Sequence, residues 1–132
     1  MLENQLKAQL LKKLRSIGPK YFVIPHTDAI QSGIPDISVS GFRLTSWLEL
    51  KHATPTFPTK GIQEFTMLRL AMTAFARYVI YYDFDKVKST MIIHPDRILG
   101  KKGDLTKVEV EVSYAGFDHD AVVRYLQRIH VG

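Results

Sequence analysis

Two short runs of alternating polar and apolar residues, separated by a turn, restrict the fold of this chain most strongly. Residues 36–40 and 47–51 both follow the period-two pattern of a strand. Side chains two apart on a strand share a face, so Glu49 and Lys51 project together. If the two strands pair as a hairpin, Asp36 can lie beside Glu49. The sequence therefore predicts two carboxylates and one ammonium group on one surface.

Such a group of side chains suits metal-assisted cleavage of phosphodiester bonds. Two nearby carboxylates repel each other unless a cation lies between them, and oxygen ligands suit hard ions such as Mg²⁺. A bound Mg²⁺ lowers the pKa of a water molecule and stabilises charge on a phosphoryl oxygen. A lysine beside the ion can position that water or stabilise the developing charge.

The same residues also permit a purely structural interpretation. Pro35-Asp36 is a common turn dipeptide, and a Glu-x-Lys sequence such as Glu49 to Lys51 is often a solvated ion pair on a strand. Each motif alone favours this interpretation. The order and spacing of the motifs favour the functional one.

The composition indicates a single globular domain spanning residues 1–132, of which 45% are apolar. The chain has no cysteine, which excludes disulfides and cysteine-bound zinc or iron–sulfur sites. It has no apolar run of membrane-spanning length and no signal-peptide pattern, so a cytoplasmic location without membrane association is expected. The net charge of +5 favours polyanionic partners, with nucleic acid ahead of a membrane surface.

Helical periodicity predicts three helices. An amphipathic helix covers residues 2–17 and ends at Gly18, and a second helix covers residues 62–77. Asp118 is placed to cap a third helix near the C-terminus. The buried stripe predicted for the second helix is Ile62, Phe65, Leu68, Met72 and Phe75. The stripe predicted for the third is Val122, Tyr125, Leu126 and Ile129.

Four further segments have the pattern of strands. Residues 21–24 and 91–94 are short apolar runs, and the longer apolar run at 78–84 predicts a central strand. Valine alternates with polar residues over 108–113, which predicts a half-exposed strand.

Three polar segments are predicted to be loops. Residues 26–33 lead into the hairpin, and residues 52–61 contain two prolines, three threonines and a glycine. The second loop begins where the predicted site ends, so we expect either a wall or lid that touches nucleic acid or a plain crossover. Residues 98–104 form the third loop. The lysines expected to contact phosphates in these loops are Lys60, Lys101 and Lys102.

The order helix, strand, hairpin, helix, strand resembles the PD-(D/E)xK nuclease superfamily. Gly33-Ile34-Pro35-Asp36, then Glu49-Leu50-Lys51, then Gln63 at the start of the next helix look most like the VRR-NUC branch, which shares features with archaeal Holliday-junction resolvases. The resemblance implies an α/β fold with a restriction-endonuclease-like core over residues 1–84, in which a mixed central β-sheet lies between helices. Residues 85–132 form a C-terminal extension of strand and helix, to which nothing is carried over.

The resemblance also implies a role for each motif residue. Asp36 and Glu49 would bind Mg²⁺, for which Mn²⁺ could substitute, and the backbone carbonyl of Leu50 would complete the protein's share of the ligands. Lys51 would position the attacking water or stabilise the pentavalent phosphorus. Gln63 would orient the site or a phosphate.

Glu3 matches an acidic residue that many members of this superfamily carry on the first helix. Its alternative roles are a first-turn acid that favours the helix dipole or an exposed partner of Lys7. Members of this size are often homodimers, which would pair two sites for opposed strands. The connection before Gln63 departs from the Gly/Ser-rich pattern of the family, because it is rich in Thr and Pro.

The sequence therefore predicts a Mg²⁺-dependent DNA endonuclease, with branched DNA as a substrate that the resemblance implies. The choice between DNA and RNA stays open. The main alternative is a non-catalytic nucleic-acid-binding or assembly module that keeps the nuclease fold. Asp36 and Glu49 argue against that alternative, because a purely binding surface would favour cations over two clustered acids.

Overall fold

The computed structural model describes residues 2–26 and 33–132, and residues 27–32 of the loop predicted at 26–33 lie outside this part of the chain. Six strands form one sheet, with helices on both faces. The helices are α1 (Leu2–Arg15), α2 (Gly61–Thr73), α3 (Pro95–Ile98) and α4 (His119–Val131). The strands are β1 (Phe22–Pro25), β2 (Ile37–Gly41), β3 (Leu44–Ala53), β4 (Phe75–Phe84), β5 (Val87–Ile93) and β6 (Val112–Ala115). Each helix among these residues is too short or too polar to cross a bilayer.

The sheet is mixed and its strands follow one another in chain order. β1, β2 and β3 pair antiparallel, β3 and β4 pair parallel, and β4, β5 and β6 again pair antiparallel. A parallel pair needs a crossover connection, and α2 supplies it between β3 and β4. The predicted fold class is confirmed: an α/β fold with helix, mixed central sheet and helix, extended at the C-terminus by strands and a helix.

The predicted hairpin is present and consists of β2 and β3. Its register pairs Ile37 with Leu48 at the open end and Gly41 with Leu44 at the turn. The two turn residues, Phe42 and Arg43, both have positive φ, as the tightest hairpin turns require. β3 runs five residues beyond the last β2 partner, and this overhang carries the predicted site.

Alternation along β3 separates an apolar face from the site face. Leu48 and Leu50 are buried beneath α1 and α4, in a cluster that includes Leu10 of α1 and Leu126 of α4. Burying a leucine of this kind contributes roughly 1.5–3 kcal/mol. Glu49 lies between these two leucines and therefore points to the opposite face, which α2 covers.

The second helix is shorter than predicted. α2 ends at Thr73 instead of continuing to Arg77, and its last turn closes with a hydrogen bond from the Ala74 N–H to the Leu70 carbonyl, at 2.8 Å. Phe75 and Arg77 belong to β4, where the guanidinium of Arg77 lies 4.2 Å from the centre of the Phe75 ring.

The buried stripe predicted for this helix is wrong. Ile62, Phe65 and Met72 are 55%, 63% and 77% exposed, and Met67 is the fully buried residue of α2. Apolar side chains occur on nearly every side of the helix, so their spacing does not identify the side that packs on the sheet. α2 therefore presents a row of apolar side chains to solvent.

The C-terminal third differs from the prediction in one strand. The predicted strand at 108–113 forms only from Val112: residues Leu105–Lys107 make a turn of 3-10 helix, and residues 108–111 are irregular. The predicted strand at 91–94 is the end of the longer β5. The third predicted helix is confirmed as α4, and Asp118 caps it by accepting a hydrogen bond from the Ala121 N–H at 2.9 Å.

Candidate active site

Asp36 lies where the β2–β3 ladder would continue beyond its last pair. Its Oδ2 accepts a hydrogen bond from the Leu50 N–H at 2.9 Å, because β2 offers no further backbone partner to this edge of β3. Two residues further along the same edge, the His52 N–H donates to Glu3 Oε1 at 3.0 Å. Two carboxylates thus satisfy backbone donors that would otherwise be orphaned.

A lysine from α1 also reaches Asp36. Lys7 Nζ lies 2.9 Å from Asp36 Oδ1, in a partly buried ion pair. Sequence reasoning treated Lys7 as a surface partner of Glu3 and missed this contact. The available signal was the i,i+4 spacing of Glu3 and Lys7, which places both side chains on one side of the helix.

Glu49 is almost completely buried, with 2% of its surface exposed. Its Oε2 lies 3.3 Å from Lys51 Nζ, and its Oε1 is buried without a hydrogen-bond partner among the described residues. Burial first, and then the negative charge of Asp36, raise the pKa of Glu49 to about 8, although Lys51 acts in the opposite direction. The structure therefore brings Asp36, Glu49 and Lys51 together, as the sequence predicts.

A buried tyrosine lies next to Glu49 on the neighbouring strand. Tyr78 of β4 is the register partner of Glu49 and is 1% exposed. Burial raises the pKa of the Tyr78 phenol, and the charges of Glu49 and Glu64 raise it further. Glu64, in the first turn of α2, has one carboxylate oxygen that is buried without a hydrogen-bond partner among the described residues.

Gln63, the residue of α2 that the resemblance assigns to the site, stays a prediction. Its backbone N–H donates to the Lys60 carbonyl at 3.0 Å, and its half-buried side chain makes no hydrogen bond to the part of the chain that the structure describes. Sequence reasoning missed Glu64 and Tyr78. A buried strand residue opposite Glu49 cannot be identified until the β3–β4 register is known.

The segment before Asp36 packs against the start of α2. Gly33 has φ of +94°, and a Cβ added there would lie 3.1 Å from Thr66 Oγ1 and 3.4 Å from the Ile62 carbonyl oxygen. Only glycine suits that conformation at that distance. Pro35 is buried as well, so the backbone that presents Asp36 is fixed on both sides.

The predicted loop after β3 is braced by the C-terminal part of the chain. The Phe57 N–H donates to the Gly103 carbonyl at 3.2 Å, and Thr56 forms a bridge with Asp104. A Cβ on Gly103 would lie 2.0 Å from the Phe57 carbonyl oxygen, which excludes any larger residue. The loop at 98–104 is thus held beside the connection that follows the site. The candidate phosphate contacts Lys60, Lys101 and Lys102 are all exposed.

The donor set fits a hard divalent ion. Asp36 and Glu49 offer carboxylate oxygens, and the Leu50 carbonyl faces the same edge of β3 as the Leu50 N–H that bonds to Asp36. Mg²⁺ commonly takes one or two carboxylates and completes its shell with water and substrate oxygens. The unpartnered Glu49 Oε1 and the repulsion between the two acids are features that a cation would relieve.

Side chains alone do not make a closed metal site here. Within residues 2–26 and 33–132, no group of three or more His, Asp or Glu side chains is arranged to hold an ion. His52 points to the face opposite Glu49, as expected from strand alternation, and its ring lies 6.3 Å from that of Phe117. A site at Asp36 and Glu49 would therefore be open and would share its ion with water and substrate.

Comparison with known proteins adds one structural likeness. No family model matches this chain, and no curated protein matches it. Among solved structures it is similar to Hjc, a Holliday junction resolvase from the archaeal hyperthermophile Archaeoglobus fulgidus. The two chains are 14% identical, with a TM-score of 0.49, over 70% of this chain and 76% of the other. A similarity of this extent leaves the function to be inferred from the site.

Proposed function

We propose that this protein is a metal-dependent endodeoxyribonuclease of the PD-(D/E)xK type, which hydrolyses phosphodiester bonds in DNA. One observation carries the proposal: Asp36, Glu49 and Lys51 converge on the overhang of β3, with Lys51 Nζ 3.3 Å from Glu49 and the charge of Asp36 raising the pKa of Glu49. A surface that only bound nucleic acid would gain nothing from two acids placed where they repel each other. Membership of the VRR-NUC branch stays a prediction from the motif order.

Asp36, Glu49 and the Leu50 carbonyl would hold Mg²⁺. When bound, the ion lowers the pKa of a water molecule and stabilises charge on a phosphoryl oxygen. Glu49 has to lose its proton before its carboxylate can serve as a ligand, because burial raises its pKa to about 8. The ammonium group of Lys51, whose Nζ lies 3.3 Å from Glu49 Oε2, favours the ionised form of Glu49.

Lys51 has a second task in the reaction. It is held on the same face as Glu49 with 15% of its side chain exposed, so its ammonium group can meet a substrate at the surface. From there it can orient the attacking water and stabilise the charge that develops on the phosphoryl oxygens. Lys7 of α1 holds the carboxylate of Asp36 through its ion pair.

A cleavage assay tests the proposal. Matched four-way junction, flap, duplex and single-stranded DNA are offered with Mg²⁺, with Mn²⁺ or with EDTA, and RNA forms serve as a comparison. We expect cleavage that requires a divalent ion and is lost in Glu49→Gln and in Lys51→Met. Binding of DNA without cleavage of any form would instead identify a non-catalytic module. Preferred cleavage of the junction would support the branched substrate that the resemblance implies.

We also propose that the protein acts as a homodimer, as the resemblance implies. The exposed apolar row of α2, formed by Ile62, Phe65 and Met72, is the surface that supports this proposal. Monomeric proteins rarely expose contiguous apolar patches of appreciable size. A twofold axis beside α2 would bury the row against its own copy, since a closed dimer uses the same patch on both subunits.

A further inference from the structure

The positive charge of this chain is concentrated in one helical layer. α1 carries four cations against one acid, and α4 carries two arginines against one acid, so these two helices hold four of the five net positive charges. α2, on the other face of the sheet, carries one acid and one arginine and is neutral. The charge is therefore distributed asymmetrically between the two faces.

α1 and α4 form one continuous surface. They cover the same face of the sheet and run in the same direction. Gln9 of α1 forms a hydrogen bond with His119 at the start of α4, and the ring of Tyr21, which follows α1, lies 5.6 Å from that of His130 near the end of α4. Lys13 crosses between the helices and lies 3.3 Å from Asp120. Lys12 and Lys13 line a shallow cavity with His119 at the start of α4, and Arg124 and Arg128 line a second one at the end of α4.

The cations of this surface are available to a ligand. Lys12, Arg124 and Arg128 are exposed and form no ion pair with an acid in residues 2–26 or 33–132. The Lys13–Asp120 pair is itself exposed, and such pairs contribute little. The helix dipole accounts for cations in a last turn, but Arg124 lies in the middle of α4.

We infer that the cationic face of α1 and α4, defined by Lys12, Lys13, Arg15, Arg124 and Arg128, binds the phosphate backbone of a DNA duplex segment separate from the one cleaved. The inference rests on the proposed function in taking DNA as the polyanion. Arg124 and Arg128 are one turn apart, about 6 Å along the helix, which suits successive phosphates of a strand. Neither helix exposes an aromatic side chain for stacking on bases, which favours a duplex over a single strand.

The position of the face explains why the segment must be separate. Lys7 reaches the site from the first half of α1, whereas Lys12 and Arg15 lie one to two turns further along the helix and project to solvent. The site lies on the β3 overhang, on the other side of the sheet from these side chains. A DNA molecule with two duplex arms, or one bent duplex, could occupy the site and the cationic face at the same time.

Salt-dependent binding tests the inference independently of catalysis. The full chain carrying Glu49→Gln is titrated in EDTA against labelled duplex and junction DNA, and fluorescence anisotropy is measured at several salt concentrations. The test variant combines Lys12→Gln, Arg124→Gln and Arg128→Gln. The matched control combines Arg69→Gln, Lys86→Gln and Lys107→Gln, which removes the same charge from exposed positions elsewhere. Circular dichroism melting checks that both variants fold.

We expect the test variant to lose at least tenfold in affinity and to reduce the slope of log affinity against log salt by about 2 to 3. The control should lose about twofold or less. As a second readout, DNA should protect Lys12 and Lys13 from amine-reactive labelling in the protein that carries only Glu49→Gln, but should leave Lys86 reactive. Equal losses in the two variants, or no loss in the test variant, would overturn the inference. Because cleavage is not measured, a failed nuclease assay leaves this result standing.

Discussion

Lys7 and Asp36 are 29 residues apart in the chain, yet their side chains form an ion pair of 2.9 Å that ties α1 to the start of β2. The pair occupies one oxygen of a predicted metal ligand, and the Leu50 N–H occupies the other. In the metal-free protein, Lys7 thus supplies part of the positive charge that an ion would supply.

Lys7→Gln should strengthen Mg²⁺ binding to the metal-free protein. The ammonium group of Lys7 repels an incoming cation and holds the carboxylate of Asp36, so its removal should raise the affinity by about threefold or more. Isothermal titration calorimetry measures this directly. Lys13→Gln, which removes the same charge from the surface, is the control and should change the affinity little. An unchanged or weaker affinity in Lys7→Gln would show that Lys7 does not compete with the ion.

The pKa of Glu49 predicts how the stability of the metal-free protein depends on pH. The folded state keeps a proton on Glu49 up to about pH 8, whereas the unfolded chain releases it near 4.5. The stability that protonated Glu49 contributes to the folded state is therefore fully present below pH 4.5. It is lost as the pH rises to 8, and the free energy of unfolding falls by up to about 1.4 kcal/mol per pH unit. Urea unfolding of the wild type and of Glu49→Gln across this range measures the difference. Parallel curves for the two proteins would contradict the raised pKa.

Two substitutions at Asp36 separate its metal role from its structural one. Asp36→Asn keeps an oxygen that can accept from the Leu50 N–H and removes the repulsion with Glu49, but it also removes the charge that pairs with Lys7. We therefore expect cleavage to be abolished and the melting temperature to change little. Asp36→Ala leaves the backbone donor without a partner and should lower the free energy of unfolding by about 1–3 kcal/mol. Normal cleavage by a destabilised Asp36→Asn would make Asp36 a structural cap.

The exposed row on α2 predicts the effect of a charge at its centre. Phe65 is 63% exposed, so Phe65→Glu should leave the fold intact while placing two like charges against each other in a dimer. Light scattering coupled to size-exclusion chromatography should show a dimer for the wild type and a monomer for the variant. Lys86→Glu, at an exposed position on the β4–β5 turn, is the control. A wild type that is monomeric at all concentrations would refute the proposed assembly.

The hairpin and its acids follow from the sequence because they depend on local patterns. Period-two alternation fixes which side chains share a face, so Glu49 and Lys51 are placed together as soon as β3 is recognised. The position of Asp36 beside them then follows from the hairpin register. The cap of α4 at Asp118 is equally local and was also predicted correctly.

The parts that sequence reasoning missed depend on contacts between distant segments. Which side of α2 packs on the sheet is decided by Met67 and its neighbours across the fold, and the spacing of apolar residues around the helix does not show it. The contact of Lys7 with Asp36 requires the angle at which α1 crosses the sheet. The brace between Phe57 and Gly103 joins two loops that no local pattern relates.

Calorimetric titration of Mg²⁺ into the metal-free wild type, Asp36→Asn and Glu49→Gln tests most directly whether the two acids share one ion. We expect a single site in the wild type, with about one proton released per ion at pH 7 because Glu49 is mostly protonated before binding. Either substitution should abolish this site. A wild type that binds no divalent ion, or variants that bind it with unchanged affinity, would show that Asp36 and Glu49 do not share an ion.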